Sequence, residues 1–211
     1  MRHLPSAPTF VIGYPIPRKV YGTVDSLRTL VIASALIVAL LALPQSFAQE
    51  KKATKSPHAS VTQRIGTGDV TIDYSRPRVN GRVIWGDIVP YNNGIPYPWR
   101  AGANDTTTIE FEQDVLIQGQ PLPAGKYGIH MVPAAEGEWT IIFNKAWEGH
   151  GSFEYDEAQD ALRVKAVPEE APHEEWLRYG FDELAADSAR AYLHWEKKKA
   201  GFTISLPKPA E

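Results

Sequence analysis

The segment Val70-Thr71-Ile72-Asp73-Tyr74-Ser75 decides the fold class of this chain, because apolar and polar residues alternate strictly along it. A period of two places alternate side chains on opposite faces of a β-strand, so the segment predicts a half-buried strand. The same period recurs at residues 106–111, 114–118, 126–132, 138–144 and 162–167, and then around Leu177–Phe181, Ala189–Trp195 and Phe202–Ile204.

Turn-forming residues separate these runs, among them Gln118-Gly119-Gln120 and Pro123-Ala124-Gly125. Helical patterning is scarce, and only Asp182–Asp187 is predicted as a single helical turn. Eight or nine short strands at this spacing predict an all-β fold, an antiparallel β-sandwich or jelly-roll-like barrel. We place this domain at residues 61–206, followed by a tail at residues 207–211.

The first 48 residues form an N-terminal extension with an apolar run, TLVIASALIVALLAL, at Thr29–Leu43. As a helix this run spans about 22 Å, short of the roughly 30 Å of a bilayer core. The small-x-small triplet ending at Ala48 is typical of signal-peptide cleavage, so we expect export to the periplasm or secretion. The alternative is an uncleaved signal helix that anchors the chain in the inner membrane. Residues 49–60 are polar and aperiodic and are predicted to form a flexible tether.

The amino-acid composition of the chain excludes several classes of function. The 211 residues contain 22 Lys and Arg against 25 Asp and Glu, for a net charge of −3, and no cysteine. A mildly acidic chain has no electrostatic footprint for nucleic acid. The lack of cysteine excludes disulfides, thiol nucleophiles and thiolate metal sites. No cofactor is predicted, and the expected partner is a small ligand or an envelope protein, with membrane contact only through an uncleaved signal helix.

Residues 76–103, which we call the excursion, interrupt the strand pattern with Pro, Gly and Asn throughout. Long ordered loops often carry function, and Arg and aromatic side chains suit anions and sugars. We therefore predict a ligand face for a small anion or a sugar, built from Tyr74, Arg76, Trp99, Arg100 and Asn104. Alternatively, Arg76 and Arg100 only pin the excursion, by stacking on Trp85 or Trp99 or by pairing with Asp73, Asp87 or Asp105.

Two histidines support a different hypothesis. His130 lies in a predicted strand, and His150 lies in a glycine-rich loop close to several carboxylates. If they met in space, they would form a metal or acid–base cluster, as in a hydrolase or a metal-dependent enzyme. No HExxH or His-x-His pattern requires this, and a hydrogen-bonded strand histidine with a solvated loop histidine is the alternative.

Four segments together resemble the bacterial DUF2911 family of exported domains of unknown function. They are IDYSRPRVNGRVIWGDIVPY (residues 72–91), WRAGANDTTTI (99–109), LPAGKYGIHMVP (122–133) and WTIIFN (139–144). The resemblance runs from about Val61 to Ile204. It implies an exported β-rich domain and names no reaction.

The leading hypothesis is therefore a non-enzymatic, envelope-associated binding module that carries the ligand face. The His130 and His150 enzyme is the second hypothesis. A third is a purely protein-binding envelope domain, which would show an exposed sheet edge or a contiguous apolar patch.

Overall fold

A computed structural model describes residues 54–91 and 98–208, which form two antiparallel β-sheets. The larger sheet has the strand order β1-β2-β3-β6-β7-β8 and the smaller sheet the order β5-β4-β10-β9. The strands are β1 (His58–Ile65), β2 (Gly68–Ser75), β3 (Thr108–Phe111), β4 (Val115–Ile117), β5 (Gln120–Leu122), β6 (Gly125–Val132), β7 (Trp139–Asn144), β8 (Asp160–Ala166), β9 (Glu169–Asp182) and β10 (Ser188–Ser205).

The core lies between the two sheets and consists of the inward-facing residues of both. Phe143 of β7 meets Phe202 of β10 edge to face, with ring centroids 5.1 Å apart. Tyr74 of β2 meets Tyr179 of β9 in the same way at 4.9 Å. Strand alternation supplies these residues, because every second side chain of each strand points inward. The sheets therefore form the antiparallel β-sandwich that the sequence predicts.

Several details differ from the sequence-based prediction. The predicted helical turn at Asp182–Asp187 is wrong, because these residues form the end of β9 and a bend, with Glu183 at φ 49°. Strands β1 and β5 were not predicted. Strand β1 begins at His58, so the last three residues of the predicted tether belong to the sheet. The predicted signal peptide with its apolar run, and residues 49–53 of the predicted tether, lie outside the described residues.

The described part of the excursion packs on the sandwich without regular strands. Trp99 exchanges two main-chain hydrogen bonds with Met131 of β6, at 2.8 and 2.7 Å. Near the start of the excursion, the main-chain N–H of Leu177 in β9 donates to Pro77 O at 3.0 Å. Ile84 is 2% exposed and belongs to the core. The described part of the excursion is therefore tied to both sheets.

Residues 145–159, which connect β7 to β8, form a second irregular segment that we call the covering loop. It contains two short 3₁₀ turns, Ser152–Glu154 and Glu157–Gln159. These turns are the only helical structure in residues 54–91 and 98–208, so nothing in that part of the chain is a helix able to cross a membrane.

Candidate functional site

A cavity of about 830 Å³ lies where the excursion meets the smaller sheet. Trp176 of β9 and Trp195 of β10 line it, and Ser152 of the covering loop completes the wall. The remaining lining comes from Thr54, Lys55 and Ser56 and from the excursion, through Pro77, Arg78, Asn80, Arg82, Ile88, Val89, Pro90, Trp99, Arg100, Gly102 and Ala103. This volume is typical of small-molecule sites.

Stacked indoles form the apolar part of the cavity. The rings of Trp99 and Trp195 are nearly parallel, with centroids 6.0 Å apart and planes at 21°. Trp85 meets both of them edge to face. The Trp99 indole N–H donates to Gly102 O at 3.2 Å, which fixes its orientation within the excursion. The buried Trp195 ring thus supports the partly exposed Trp99 ring, which can contact a planar or apolar ligand group.

Cationic side chains supply the polar part of the lining, at Lys55, Arg78, Arg82 and Arg100. Arg78 is partly neutralised, because its Nε lies 3.3 Å from Glu175 Oε1 and its guanidinium carbon lies 5.0 Å from the centre of the Trp176 ring. Arg82 donates to the main-chain oxygens of Val79 and Arg78. Among the described lining residues there is no carboxylate and no histidine. The described lining of the cavity therefore carries a net positive charge.

Arg100 differs from the other three cations because its charge is half-buried and unpaired. Its Nε is buried without a hydrogen-bond partner among the described residues, and its guanidinium makes no ion pair there. Burial lowers the pKa of this guanidinium, and the negative charge of Asp105 acts in the opposite direction. Burying a charged donor without an acceptor is costly, so a ligand that supplies an acceptor would relieve this cost.

Two indoles that pack on Trp99 also lack acceptors within the described residues. Trp195 is 1% exposed, and its Nε1 has no hydrogen-bond partner there. The Nε1 of Trp85 is likewise buried and unpaired. Native proteins leave few buried polar atoms unsatisfied. Two of these donors, Arg100 Nε and Trp195 Nε1, belong to residues that line the cavity, and the described lining offers no side-chain carboxylate, so the site favours a ligand rich in acceptor oxygens.

Of the five residues of the predicted ligand face, Trp99 and Arg100 line the cavity. Tyr74, Arg76 and Asn104 do not. Tyr74 is only 6% exposed, and its ring packs on Tyr179 in the core. The predicted ligand face therefore combines two residues that line the cavity with three that do not.

Arg76 and Asn104 tie the excursion to neighbouring segments. The Nε of Arg76 donates to Leu177 O of β9 at 2.9 Å. The Asn104 side-chain amide donates to Ser56 O at 3.1 Å and to Ser75 Oγ at 3.2 Å. Asn104 also adopts a φ of 59°, a left-handed conformation that Asn tolerates better than most residues. Their positions fit the pinning alternative, although the partners are not those that the sequence suggested.

Sequence reasoning missed Trp176, Trp195 and Ser152 as cavity residues. Trp195 lies on a strand period and was assigned to the core, where most of its ring is in fact buried. Trp176 precedes the buried Leu177 and therefore points away from the core, a signal that alternation alone could have provided. Ser152 carried no signal, because only tertiary structure brings the covering loop to the excursion.

His130 lies on the outer face of the larger sheet, beneath the covering loop. It is 2% exposed, its ring centroid is 5.0 Å from that of Tyr155, and its Nδ1 has no partner among the described residues. Burial lowers the pKa of His130 to about 4, although the negative charge of Asp160 opposes the shift. His130 is therefore neutral at physiological pH.

His150 has separate surroundings at the edge of the covering loop. Its Nδ1 lies 2.8 Å from Asp105 Oδ1, and its main-chain N–H donates to Glu154 Oε2 at 2.6 Å. The side chains of this His–Asp pair are 70% and 82% exposed. In residues 54–91 and 98–208, no cluster of three His, Asp or Glu side chains is placed to hold a metal ion. His130 and His150 therefore have different partners in the described structure, Tyr155 for His130 and Asp105 for His150.

A hydrogen-bonded network instead anchors the covering loop. Asp160 accepts from Asn144 Nδ2 at 2.7 Å, from the Tyr155 hydroxyl at 2.7 Å and from Arg163 Nε at 2.6 Å. Burial, followed by the hydrogen bond to Asp160, raises the pKa of Tyr155. Tyr155 is therefore a neutral donor at physiological pH. We interpret the network as one that holds the covering loop on the larger sheet.

Comparison with known proteins gave one match. Residues 56–204 match the model of a family described as "Protein of unknown function (DUF2911)". The match confirms the resemblance that the four sequence segments indicated. Neither the search of curated proteins nor the search of solved structures found a match.

Proposed function

Since the chain belongs to the DUF2911 family, whose description names no activity, we propose from the cavity alone that the protein is a binding module for a small anion. The observation that carries this proposal is the half-buried Arg100 guanidinium, which lines the cavity without an acceptor among the described residues. A carboxylate, phosphate or sulfate would supply that acceptor, and Arg matches the geometry of such groups better than Lys.

The charge of the lining supports an anion over a neutral sugar. Lys55, Arg78 and Arg82 add positive charge around Arg100. Two carboxylates outside the lining offset part of this charge, Glu175 at Arg78 and Asp105 at Arg100. The aromatic wall of Trp99 and Trp195 suits a sugar ring as well as an apolar group, so a sugar bearing a carboxylate or phosphate remains within the ligand class.

The cellular location is part of the same proposal. The apolar run at residues 29–43 and the triplet ending at Ala48 support export, which would place the cavity in the periplasm or outside the cell. An uncleaved run would keep the module at the inner membrane. An intact mass that begins at Gln49 would demonstrate cleavage.

A melting-temperature screen of the protein against phosphate, butyl phosphate, butyrate and glucose tests the proposal. Binding at a hundred times the dissociation constant adds about 2.7 kcal/mol to the free energy of unfolding. We expect the anions to raise the melting temperature and glucose to leave it unchanged.

Arg100→Met is the informative variant, and Arg64→Met is its matched control. Arg64 carries the same charge but lies on β1, paired with Asp69 at 2.7 Å. The anion-dependent shift should vanish in Arg100→Met and persist in Arg64→Met. An equal shift in both variants would assign the effect to general screening and refute the site.

A further inference from the structure

Exposed apolar side chains occur in the lining of the cavity and directly beside lining residues in the chain. Within residues 54–91 and 98–208, the large apolar side chains that remain exposed are Val83 at 65%, Ile88 at 43%, Phe153 at 65%, Val167 at 64% and Leu184 at 59%. Ile88 lines the cavity itself, and its main-chain N–H donates to Val83 O at 3.3 Å. Phe153 directly follows the lining residue Ser152. We call Val83, Ile88 and Phe153 the apolar rim.

The apolar rim and the cationic lining are adjacent along the chain. Arg82 lines the cavity and is followed immediately by Val83. On the other side, Ser152 accepts a hydrogen bond from the main-chain N–H of Arg100 and is followed by Phe153. Exposed apolar groups scattered singly need no explanation, but one in the lining of a positive cavity and two that directly follow lining residues support a binding surface. By contrast, Val167 follows β8 and Leu184 lies in the bend between β9 and β10.

We infer that the ligand is an anionic amphiphile: one molecule whose carboxylate or phosphate head pairs with Arg100 and whose hydrocarbon tail covers the apolar rim. This inference rests on the proposed function and names its ligand class. The head satisfies the unpaired guanidinium, and the tail removes the exposed side chains of Val83 and Phe153 from water. A small inorganic anion would leave the rim exposed.

The ligand class predicts a dependence of affinity on chain length. Burying one methylene contributes about 0.8 kcal/mol, which corresponds to about a fourfold change in dissociation constant. Calorimetric titration of the full chain with butyrate, hexanoate, octanoate and the matching alkyl phosphates, each below its micelle concentration, measures this dependence. We expect the dissociation constant to fall two- to fourfold per methylene, and octanol, which lacks the charge, to bind at least tenfold more weakly than octanoate.

Variants of the rim separate the tail site from the head site. Val83→Ser and Phe153→Ser should flatten the chain-length dependence, so that octanoate and octyl phosphate lose more affinity than butyrate and butyl phosphate do. Val167→Ser is the matched control, because it removes a valine of the same exposure away from the cavity, and it should keep the full dependence.

The outcomes distinguish this inference from the proposed function. Arg100-dependent binding of short anions with no gain from longer chains overturns the amphiphile and leaves the anion site standing. Failure of every anion to bind overturns both. Octanol binding as tightly as octanoate overturns the role of the charge and, with it, the anion site.

Sedimentation with vesicles identifies the source of the amphiphile. A dissolved ligand predicts that the protein binds octyl phosphate and stays in the supernatant with phosphatidylglycerol vesicles. The opposite result has three parts: the protein sediments with those vesicles, Phe153→Ser does not, and dissolved alkyl phosphates do not bind. That result would overturn the single-molecule site and assign the apolar rim to a lipid surface.

Discussion

Arg100 donates its main-chain N–H to the hydroxyl oxygen of Ser152 at 3.1 Å, which joins the excursion to the covering loop at the wall of the cavity. The two residues are 52 positions apart in the sequence. The bond places Phe153 beside the cationic lining and holds the main chain of the residue whose guanidinium is unpaired. If Arg100 binds an anion as proposed, we expect Ser152 to act on binding through the position of Arg100.

Ser152→Ala should both destabilise the protein and weaken anion binding. The variant leaves a partly buried main-chain N–H without its acceptor, which costs about 1 kcal/mol of unfolding free energy. We also expect the dissociation constant for butyl phosphate to rise several-fold. Urea unfolding and calorimetry measure the two effects. Ser60→Ala, at an exposed position of β1, is the control, and an effect on binding as large in Ser60→Ala would contradict the positioning role.

Arg100→Met should leave the protein as stable as the wild type or slightly more stable. Arg100 carries a half-buried charge without a partner in the described structure, and an apolar side chain of similar length removes that desolvation cost. The expected change in unfolding free energy lies between no effect and a gain of about 1 kcal/mol. Urea unfolding without added anion checks it. A loss of 2 kcal/mol or more would indicate that Arg100 stabilises the excursion instead of serving a ligand.

Arg76→Met should lower the stability of the protein and leave anion binding unchanged, which is the opposite of what we expect for Arg100→Met. The Arg76 side chain donates from Nε to Leu177 O at 2.9 Å, so its removal leaves a buried carbonyl of β9 with one hydrogen bond fewer. Hydrogen bonds from charged donors contribute about 1.5–3 kcal/mol, and we expect a loss of unfolding free energy of about that size. Binding of butyl phosphate to the folded variant should stay within twofold of the wild type. Loss of binding without loss of stability would return Arg76 to the ligand face.

His130 should make the stability of the protein dependent on pH between about 4 and 6.5. The unfolded chain protonates this residue near pH 6.5, whereas burial lowers its pKa in the folded protein to about 4. The unfolded state therefore binds more protons within this window. The contribution of His130 to stability is present above pH 6.5 and is lost as the pH falls through the window.

The full effect of this shift is about 3 kcal/mol of unfolding free energy. His130→Leu removes the titration while keeping an apolar group beneath Tyr155. Urea unfolding at several pH values should show a shallower loss of stability on acidification in His130→Leu than in the wild type. His58→Leu removes an exposed histidine and serves as the control. Parallel curves for the wild type and His130→Leu would show that His130 titrates normally.

The fold could be predicted from the sequence because each strand carries its own signal. Alternation such as that of Val70–Ser75 depends only on neighbouring residues, and it located most strands to within two residues of their observed bounds at one end or both. Strand β5 has only three residues, two of them exposed, and gave no such signal. Asp182–Asp187 contains helix-forming Ala and Leu, but the tertiary requirement to join β9 to β10 overrides that local preference.

The candidate site could be predicted only in part, because it depends on strand order. Trp99 and Arg100 were accessible to sequence reasoning, since an aromatic residue and an Arg stood together in a long loop. Trp176 and Trp195 join them only because β9 lies beside β10 in the smaller sheet. A period of two predicts the face of the sheet on which a residue lies. It does not predict which strand lies beside the strand that contains the residue. The position of Arg76 could not be predicted, because its partner is the main-chain carbonyl of Leu177, which no sequence pattern displays.

The most direct test of the central claim is the dissociation constant of butyl phosphate, measured by calorimetry on the wild type, Arg100→Met and Arg64→Met at one ionic strength. An anion site in the cavity predicts binding to the wild type, at least tenfold weaker binding to Arg100→Met, and an unchanged constant for Arg64→Met. Equal constants in all three proteins, or no binding to the wild type, would contradict it.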